Sequence, residues 1–418
     1  MTATQQDAFE ALFDPANRAN PYGLYAALRE HGPFTRMDGL IGVVADHDSC
    51  SKVLRDPTMS SDRANSRLGQ MRQIQRGDGE RVPTVSFLSM DPPDHTRLRR
   101  LVSKAFTAKV IAGLRPNIEA VVDELFAAFE PDGQVDVVPR LAYPLPVRII
   151  TDMLGVPLAD HEKFEHWSRM LVRGLDPMIS FGDEAILAEI DRASQDLAEY
   201  FVDLIARRRA DLGEDLLSKL VQAEEEGDQL SEGELVATCI LLLVAGHETT
   251  ANLIANGVLA LLRHPDQLAA LRADPSLIDG AVDEILRYDP PVQLTTRVVT
   301  GETTLGAEGA GTRQGVGDNT VTVPQGGVLL LLLAAANRDP AAFADPDRFD
   351  ITRDARKHLS FAAGAHFCLG APLARLEASV ALTAFAQRLT DPRLDVESLR
   401  YRTHINLRGP EQMIVRFG

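Results

Sequence analysis

The chain has 418 residues, of which 45% are hydrophobic and 25% are charged, and its formal net charge is -17 at pH 7. This length can bury a large core, and so acidic a surface argues against a nucleic acid as the main partner. The three cysteines, Cys50, Cys239 and Cys368, are far apart in the chain, which argues against a disulfide framework, a zinc finger or a cysteine-ligated iron–sulfur cluster. A reducing, cytoplasmic environment fits this cysteine usage.

The N-terminal stretch has neither a basic segment nor an apolar segment of the signal-peptide kind. The longest apolar run, Val328–Ala336, has nine residues, whereas a membrane-spanning helix needs about 20. We therefore expect a cytoplasmic protein without a membrane partner.

The first part of the chain combines a short helix with strands and a long loop. "NPYGLYAALREHG" predicts a helix that stops at Gly32, and Pro33–Ala45 alternates in the way of strands. Ser61–Pro93 is rich in Arg, Gly, Ser and Pro and lacks a steady period, so we predict a long loop there.

Helical periodicity then dominates from "DHTRLRRLVSKAF" to Arg263. Strand-like segments follow at Val292–Thr304, Val321–Leu333 and Arg402–Phe417. Because strands and helices do not alternate, a doubly wound sheet is not expected. The sequence predicts a mainly α protein with a smaller β portion, organised as a single domain over residues 1–418.

Cys368 stands in "FAAGAHFCLG", directly before the helical pattern "APLARLE". A thiolate there faces unpaired backbone N–H groups and the positive end of a helix dipole, which favours the charged, metal-binding form. Gly364 and Gly370 permit backbone shapes that other residues resist. A buried free cysteine is the ordinary alternative.

The spacing F-x-x-G-x-H-x-C-x-G is far more restrictive than a lone cysteine, and it resembles the haem-binding signature of the cytochrome P450 family. The resemblance implies that Cys368 is the thiolate ligand of the iron of haem b. It also implies that Phe361 shields the sulfur from water and that His366 donates to a haem propionate. Gly364 and Gly370 then belong to the cofactor-binding loop.

A second motif, "LLLVAGHETTANLI", lies inside a long helical pattern from Ser231 to Arg263. Leu241, Ala245 and Thr249 share one helix face, and Gly246 keeps bulk away beside it. A bond from the Thr249 hydroxyl back to the Ala245 carbonyl would loosen the ladder and open a bulge for dioxygen and a water. Without such a role, the stretch is a buried amphipathic helix with a polar flaw.

The same stretch resembles the oxygen-activation motif of the family. The resemblance implies that Glu248 and Thr249 deliver protons and that Ala245 and Gly246 adjoin the haem. On helical geometry His247 points away from this face, so we interpret it as structural.

Three further matches extend the resemblance over nearly the whole chain. Glu284 and Arg287 in "EILR" match the family's E-x-x-R pair, and "DPDRF" supplies Arg348 as the predicted third member of that scaffold. His95 and Arg99, four residues apart in "DPPDHTRLRRLV", and Arg297 in "TTRVVT" match residues that hold the haem propionates. Singly, each of these residues is ordinary at a surface or a helix cap.

The resemblance implies a cytochrome P450 fold and a monooxygenase that inserts one atom of O2 into a bulky lipophilic molecule of macrolide, terpenoid or steroid type. No G-x-G-x-x-G follows a strand, so we expect electrons from a separate ferredoxin and its reductase. A basic patch of Arg100, Lys104, Lys357 and Arg375 is the predicted dock. A peroxide-driven haem peroxygenase and a non-catalytic haem ligand-binding protein are the alternatives.

Family geometry also suggests which residues line the substrate pocket. They are mostly aliphatic, namely Val85, Phe87, Leu175, Ile179, Leu241, Val244, Val292, Leu294 and Ile405. The chain departs from the family over residues 306–323, a connection that is roughly a dozen residues longer than usual. We predict an extended surface hairpin there.

Overall fold

The computed structural model describes residues 3–76, 86–104, 106–129, 133–173, 184–225, 230–306 and 320–418. Helices dominate these residues and the strands form small sheets, so the predicted mainly α class with a smaller β portion is confirmed. Val85, Leu175 and Ile179 lie outside the described residues.

The helices are spread along the chain. In order they are α1 Ala3–Ala11, α2 Tyr22–Glu30, α3 His47–Arg55, α4 Arg67–Arg76, α5 Asp94–Ser103, α6 Ala108–Gly113, α7 Arg115–Ala127, α8 Pro144–Met153, α9 His161–Arg173, α10 Glu184–Ala210, α11 Leu216–Glu225, α12 Glu232–Arg263, α13 Pro265–Ala273, α14 Ile278–Tyr288, α15 Leu333–Ala336 and α16 Ala371–Arg388.

Helix α12 is the central element, and it packs against α8, α9, α10, α14 and α16. Ser231 caps its N-terminus in a reciprocal capping box with Glu234. By length and composition α12 is apolar enough to cross a membrane, but 72% of its most apolar stretch is buried inside the protein. Burial on almost every side explains why its sequence is hydrophobic nearly all round.

The strands are short. They are β1 Phe34–Arg36, β2 Ile41–Val44, β3 Met59–Ser60, β4 Gln134–Asp136, β5 Thr295–Val299, β6 Thr303–Leu305, β7 Val321–Val323, β8 Val328–Leu331, β9 Arg393–Leu394, β10 Arg400–Tyr401, β11 Pro410–Gln412 and β12 Ile414–Arg416.

These strands form one larger sheet and several small ones. The larger sheet has the order β1-β2-β8-β5-β3, in which the β2–β8 pair is parallel. A second sheet has the order β4-β12-β9, and β10 pairs with β11 in a C-terminal hairpin. Pairing joins segments that are hundreds of residues apart, which no local pattern reveals.

Two local expectations change. The loop predicted over Ser61–Pro93 is wrong in part, because α4 forms inside it with Leu68, Met71 and Ile74 at helical spacing. The predicted hairpin over 306–323 has antiparallel arms, since β6 pairs with β7 in the register Leu305↔Val321. Its residues 307–319 lie outside the described part of the chain.

Candidate active site

Cys368 lies in a tight loop that ends at α16. The Cys368 amide donates to the Phe361 carbonyl over 2.9 Å. Gly364 has a φ of 70°, and a Cβ there would lie 2.4 Å from the Leu54 carbonyl oxygen, so only glycine fits. At Gly370 the backbone is ordinary, with a φ of -79°, and a Cβ would meet no other described atom within 4 Å.

The groups around the Cys368 sulfur have opposite effects on the pKa of its thiol. Burial raises the pKa of the thiol, while the N–H groups of Gly370 and Ala371 and the charges of Arg99 and Arg375 lower it. The lowering groups are those that would stabilise a thiolate once a cation binds it. Phe361 is buried beside this loop, and the Arg375 guanidinium lies 4.6 Å from the centre of its ring.

Four basic side chains from three parts of the chain converge next to the loop. The rings of His95, on α5, and His366 are centred 4.0 Å apart. Arg99 donates to the Phe367 carbonyl, next to Cys368. Burial first, and then His95, Arg297 and Arg99, lower the pKa of His366 to about 4.

This basic cluster has little anionic compensation among the described residues. Asp91 acts on His95, Arg297 and His366, but its oxygens are already bonded to the Ser61 amide, at 2.8 Å, and to Ser60. The Nε2 atom of His95 is buried and has no hydrogen-bond partner within the described part of the chain. A ligand with carboxylates would satisfy that nitrogen and the surplus positive charge.

One face of α12 also remains uncovered by the described side chains. Ala245 is exposed and Thr249 is partly exposed, although Val244, Glu248 and Thr250 beside them are buried. The Thr249 hydroxyl donates to the Ala245 carbonyl over 2.8 Å, as the sequence suggests. Helix α12 nevertheless runs from Glu232 to Arg263 without interruption, so the predicted bulge is not present.

Packing inside the protein does not require a glycine at Gly246. A Cβ at this position would lie 3.6 Å from Ile150, which is an ordinary contact. Its neighbour His247 is fully buried and hydrogen-bonds with the Leu243 carbonyl at 2.9 Å and Ser168 at 3.0 Å. This agrees with the structural role that helical geometry indicates for His247.

These features fit a haem with two propionates. Cys368 would supply the sulfur ligand. The carboxylates would be held by the cluster of His95, Arg99, Arg297 and His366. The uncovered Ala245–Thr249 face and the open position beside Gly370 would accept the flat macrocycle.

The predicted pocket residues separate into two groups. Leu241 is partly buried, Val244 packs beside Val292, and Phe87 is buried with its ring 6.4 Å from that of His95. Leu294 and Ile405 are buried, 6% and 5% exposed, in a hydrophobic cluster with residues of α1 and α2.

The E-x-x-R scaffold is present, but its predicted third member is wrong. Both Glu284 and Arg287 are fully buried and joined by a two-pronged pair at 2.7 and 2.8 Å. The Arg348 side chain is 63% exposed and faces Asp350. Arg353 takes its place, with Nε 3.4 Å from Glu284 and a side chain that is 14% exposed.

Sequence reasoning also missed Arg402, which forms an ion pair with Glu248. The two residues are distant in sequence, and an arginine among strand-like residues carries no local signal. Polar Asn252 and Asn256, four and eight residues after Glu248, do mark the same face of the apolar helix and could have indicated a polar neighbour.

Residues 35–390 match the family model of cytochrome P450. Among curated relatives, the cytochrome P450 monooxygenase PikC of Streptomyces venezuelae is 42% identical over 96% of this chain and 91% of its own length. Vitamin D(3) 25-hydroxylase of Pseudonocardia autotrophica is 41% identical over 100% of this chain and 98% of its own.

Solved structures agree with these sequence relatives. The ligand-free structure of CYP164A2 from Mycobacterium smegmatis superposes with a TM-score of 0.88 at 46% identity, covering 98% of this chain and 100% of that one. This chain therefore resembles these relatives in fold and sequence over nearly its whole length. The matched part includes the loop before α16, the convergent basic side chains and the uncovered face of α12. The chain belongs to the cytochrome P450 family, as a bacterial-type monooxygenase whose cofactor is a haem held by a thiolate.

Proposed function

We propose that Cys368 ligates the iron of a haem b and that the enzyme inserts one atom of O2 into a bulky lipophilic small molecule. The observation that carries this proposal is the convergence of the Cys368 loop with four basic side chains. Arg99 connects the two groups, since it lies on α5 with His95 and donates to the carbonyl next to Cys368.

When bound, a haem with a thiolate ligand activates dioxygen with two electrons and two protons. The residues of the chain bind, shield and supply protons. His95, Arg99, Arg297 and His366 fix the propionates, and Phe361 keeps water from the sulfur. The N–H groups of Gly370 and Ala371 disperse the negative charge of the thiolate.

Proton transfer is the task of the α12 residues. The Thr249 hydroxyl lies on the uncovered face and already donates to the Ala245 carbonyl, so its oxygen is left to accept a hydrogen bond from a water. That water would hold a transferable proton at the uncovered face of α12. Glu248, the next residue, is the carboxylate through which the lost proton is replaced.

A ferredoxin with its reductase supplies the electrons in the cytoplasm, and the chain acts as a single domain. Phe367, 42% exposed, lies next to Cys368, and Arg100 and Lys104 are exposed on α5 nearby. Arg375 contributes less charge than the sequence suggests, since it pairs with Asp283 at 2.9 Å. Lys357 is exposed and also donates to the Ala342 carbonyl.

The proposed dock has its own test. Reversing charge at Arg100 and Lys104 should slow reduction by an acidic ferredoxin and weaken its salt dependence, without changing substrate affinity. Stopped-flow reduction at several salt concentrations measures this. Unchanged rates would place the dock elsewhere.

The substrate class rests on the aliphatic wall and on the relatives. Leu241, Val244, Val292 and Phe87 contribute apolar surface beside the α12 face. Two relatives are named for the hydroxylation of 6-deoxyerythronolide B and vitamin D3, both large and mainly hydrocarbon. We infer a macrolide, terpenoid or steroid-like substrate, and a ligand screen by the ferric spin-state shift tests this.

The experiment that tests the ligand is the spectrum of the reduced protein with carbon monoxide. A thiolate ligand gives a strongly red-shifted Soret band, which Cys368→Ala should abolish. Cys50→Ala and Cys239→Ala are matched controls, because burial raises the pKa of Cys239 to about 12 and that of Cys50 well above its usual value. A red-shifted band that persists in Cys368→Ala would overturn the assignment.

A further inference from the structure

A buried polar stripe runs along α12 on a different face from Ala245 and Thr249. Glu248, Asn252 and Asn256 follow one another at four-residue spacing, and they are 1%, 1% and 0% exposed. The stripe faces the C-terminal hairpin formed by β10 and β11. Asn256 donates to the Arg408 carbonyl over 3.1 Å, and a Cβ at Gly409 would lie only 2.1 Å from the Asn252 side-chain oxygen.

At the end of the stripe nearest the candidate active site, Arg402 forms an ion pair with Glu248. Arg402 directly follows β10, and its side chain is 15% exposed. The hairpin therefore approaches the helix closely enough to insert a guanidinium beside a carboxylate that has almost no contact with solvent. A carboxylate in such a position needs a partner to stay ionised.

The other charged or titratable groups nearby do not replace Arg402. The His247 Nε2 atom lies 3.6 Å from Glu248, but burial lowers the pKa of His247 to about 4, so its ring is neutral at pH 7. Tyr143, Arg169 and Glu411 act electrostatically on Arg402. Arg402 is the cation that contacts the carboxylate directly.

Helix geometry makes this pair relevant to Thr249. Successive residues on an α-helix are rotated by about 100°, so Thr249 can face the uncovered surface while Glu248 faces the hairpin. Where the Glu248 carboxylate rests relative to Thr249 then depends on what holds it from the hairpin side.

We propose that Arg402 is a positioning residue that holds the Glu248 carboxylate oriented for proton transfer, so that the C-terminal hairpin controls the coupling of oxygen activation to product. This inference rests on the proposed role of Glu248 in proton delivery. Arg402 itself does not exchange a proton in this scheme. It fixes the group that does.

The test compares Arg402→Gln and Arg402→Lys with a matched control on the same hairpin, Arg400→Gln. The Arg400 side chain is exposed and donates to the carbonyls of Glu397 and Leu399. The main readout is product formed per reduced nicotinamide with a substrate lacking hydroxyl groups. The second readout is the substrate dissociation constant from the spin-state shift.

We expect Arg402→Gln to lower the product yield per nicotinamide by about tenfold, less than the 10²–10⁴-fold typical of removing a general acid or base. Hydrogen peroxide should rise correspondingly, and the substrate dissociation constant should not change. Arg402→Lys should restore most of the yield, because it keeps the charge, and Arg400→Gln should behave as the wild type. A purely structural arginine would show no selective rescue of yield by lysine.

A Glu248→Gln variant separates the two ideas. If Glu248→Gln loses product yield and Arg402→Gln does not, the positioning role of Arg402 is wrong while the proton-delivery role of Glu248 stands. If Glu248→Gln retains full yield, the proposed role of Glu248 fails and the role of Arg402 fails with it.

A stability measurement covers the case in which Arg402→Gln folds poorly. Melting temperatures of Glu248→Gln, Arg402→Gln and the double variant form a cycle that reports direct interaction. The pair would be supported if both single variants have a lower melting temperature and the loss in the double variant is smaller than the sum of the two single losses. Additive losses would show that the two side chains do not interact and would overturn the proposal.

Discussion

Two of the carboxylate–arginine pairs that the enzyme buries, Glu284–Arg287 and Glu248–Arg402, differ in how completely their polar atoms are satisfied. Arg287 bonds to both Glu284 oxygens and also donates to the carbonyls of Pro346, Arg348 and Asn337 at 2.7, 3.1 and 3.2 Å. Arg402 meets Glu248 from a separate hairpin, and its Nε atom has no partner within the described residues.

This difference helps to decide whether a buried ion pair has a structural or a functional role. A guanidinium with most of its donors occupied is held in one place, and removing it leaves a buried carboxylate without compensation. In the second pair Arg402 has a donor that no described residue uses, so fewer hydrogen bonds hold the guanidinium that positions Glu248. The first pair stabilises the fold behind the haem site, and we assign the second to the reaction.

The largest expected effect comes from breaking the first pair. Arg287→Ala leaves the buried Glu284 carboxylate without this ion-pair partner. The free energy of unfolding should fall by about 3–5 kcal/mol, as for other broken buried pairs. Urea unfolding followed by circular dichroism measures this. Arg348→Ala is the control and should change stability by no more than about 0.5 kcal/mol, because its side chain is exposed. Equal losses in both variants would contradict the assignment of Arg353 as the inner partner.

The next effect separates two neighbouring threonines beside the second pair. Thr249 and Thr250 both donate to the carbonyl four residues earlier, at 2.8 and 2.9 Å, but Thr250 is 3% exposed and faces away from the active site. Thr249→Ala should keep substrate binding and reduction while product per reduced nicotinamide falls at least tenfold, because general-acid help is typically worth about 10²–10⁴-fold.

The matched control is Thr250→Ala, which should stay close to the wild-type yield. Substrates without hydroxyl groups are required, since a substrate hydroxyl could replace that of Thr249. Equal yields in Thr249→Ala and the wild type would show that this threonine does not handle protons.

A third effect concerns pH and the neutral histidine beside the second pair. Burial lowers the pKa of His247 from its usual 6.5 to about 4, so the unfolded chain binds a proton more readily than the folded one between these values. Stability from this group is therefore complete above about pH 6.5 and is lost as the pH falls towards 4, by about 2 kcal/mol between pH 7 and pH 5. His247→Gln should show a shallower fall in urea stability over that range. An identical slope would mean that His247 is protonated inside the fold.

The same two pairs show how much of the site could be predicted from the sequence. Glu284 and Arg287 lie on one helix turn, so their spacing predicted their contact. Their third partner lies across an irregular loop, where a single extra turn exchanges Arg348 for Arg353. The contact of Arg402 with Glu248 could not be predicted from the sequence, because only the docking of the hairpin at Gly409 brings the two residues together.

The same limit applies to the rest of the fold and site. Periodicity located the main helices, but it missed α4, whose few apolar residues lie among arginines and glutamines. Family geometry suggested Leu294 and Ile405 as pocket residues, and the structure buries both in a cluster with residues of α1 and α2. Which side of a strand a residue faces depends on strand pairing, and the partners of β5 are far along the chain.

The smallest effect would sharpen the first pair itself. Arg353 lies 3.4 Å from Glu284 and is 14% exposed, so Arg353→Ala should cost about 1–2 kcal/mol, near the low end for hydrogen bonds to charged groups. Arg356→Ala is the control, since that side chain is 79% exposed and pairs only with Asp354 among the described residues. Thermal or urea unfolding distinguishes them, and a loss confined to Arg356→Ala would contradict the structure.

The position of the final strand also constrains how the enzyme is made. β12 is the middle strand between β4 and β9, and β11, just before it, belongs to the hairpin that covers the polar stripe. A ribosome synthesises the chain from its N-terminus at about 5–20 residues per second, so β4 cannot pair with β12 until the chain has been made as far as Arg416. Until then Glu248, Asn252 and Asn256 lack their cover in the nascent chain. Helix α12 therefore acquires these polar neighbours only after the hairpin that ends at Gln412 has been synthesised.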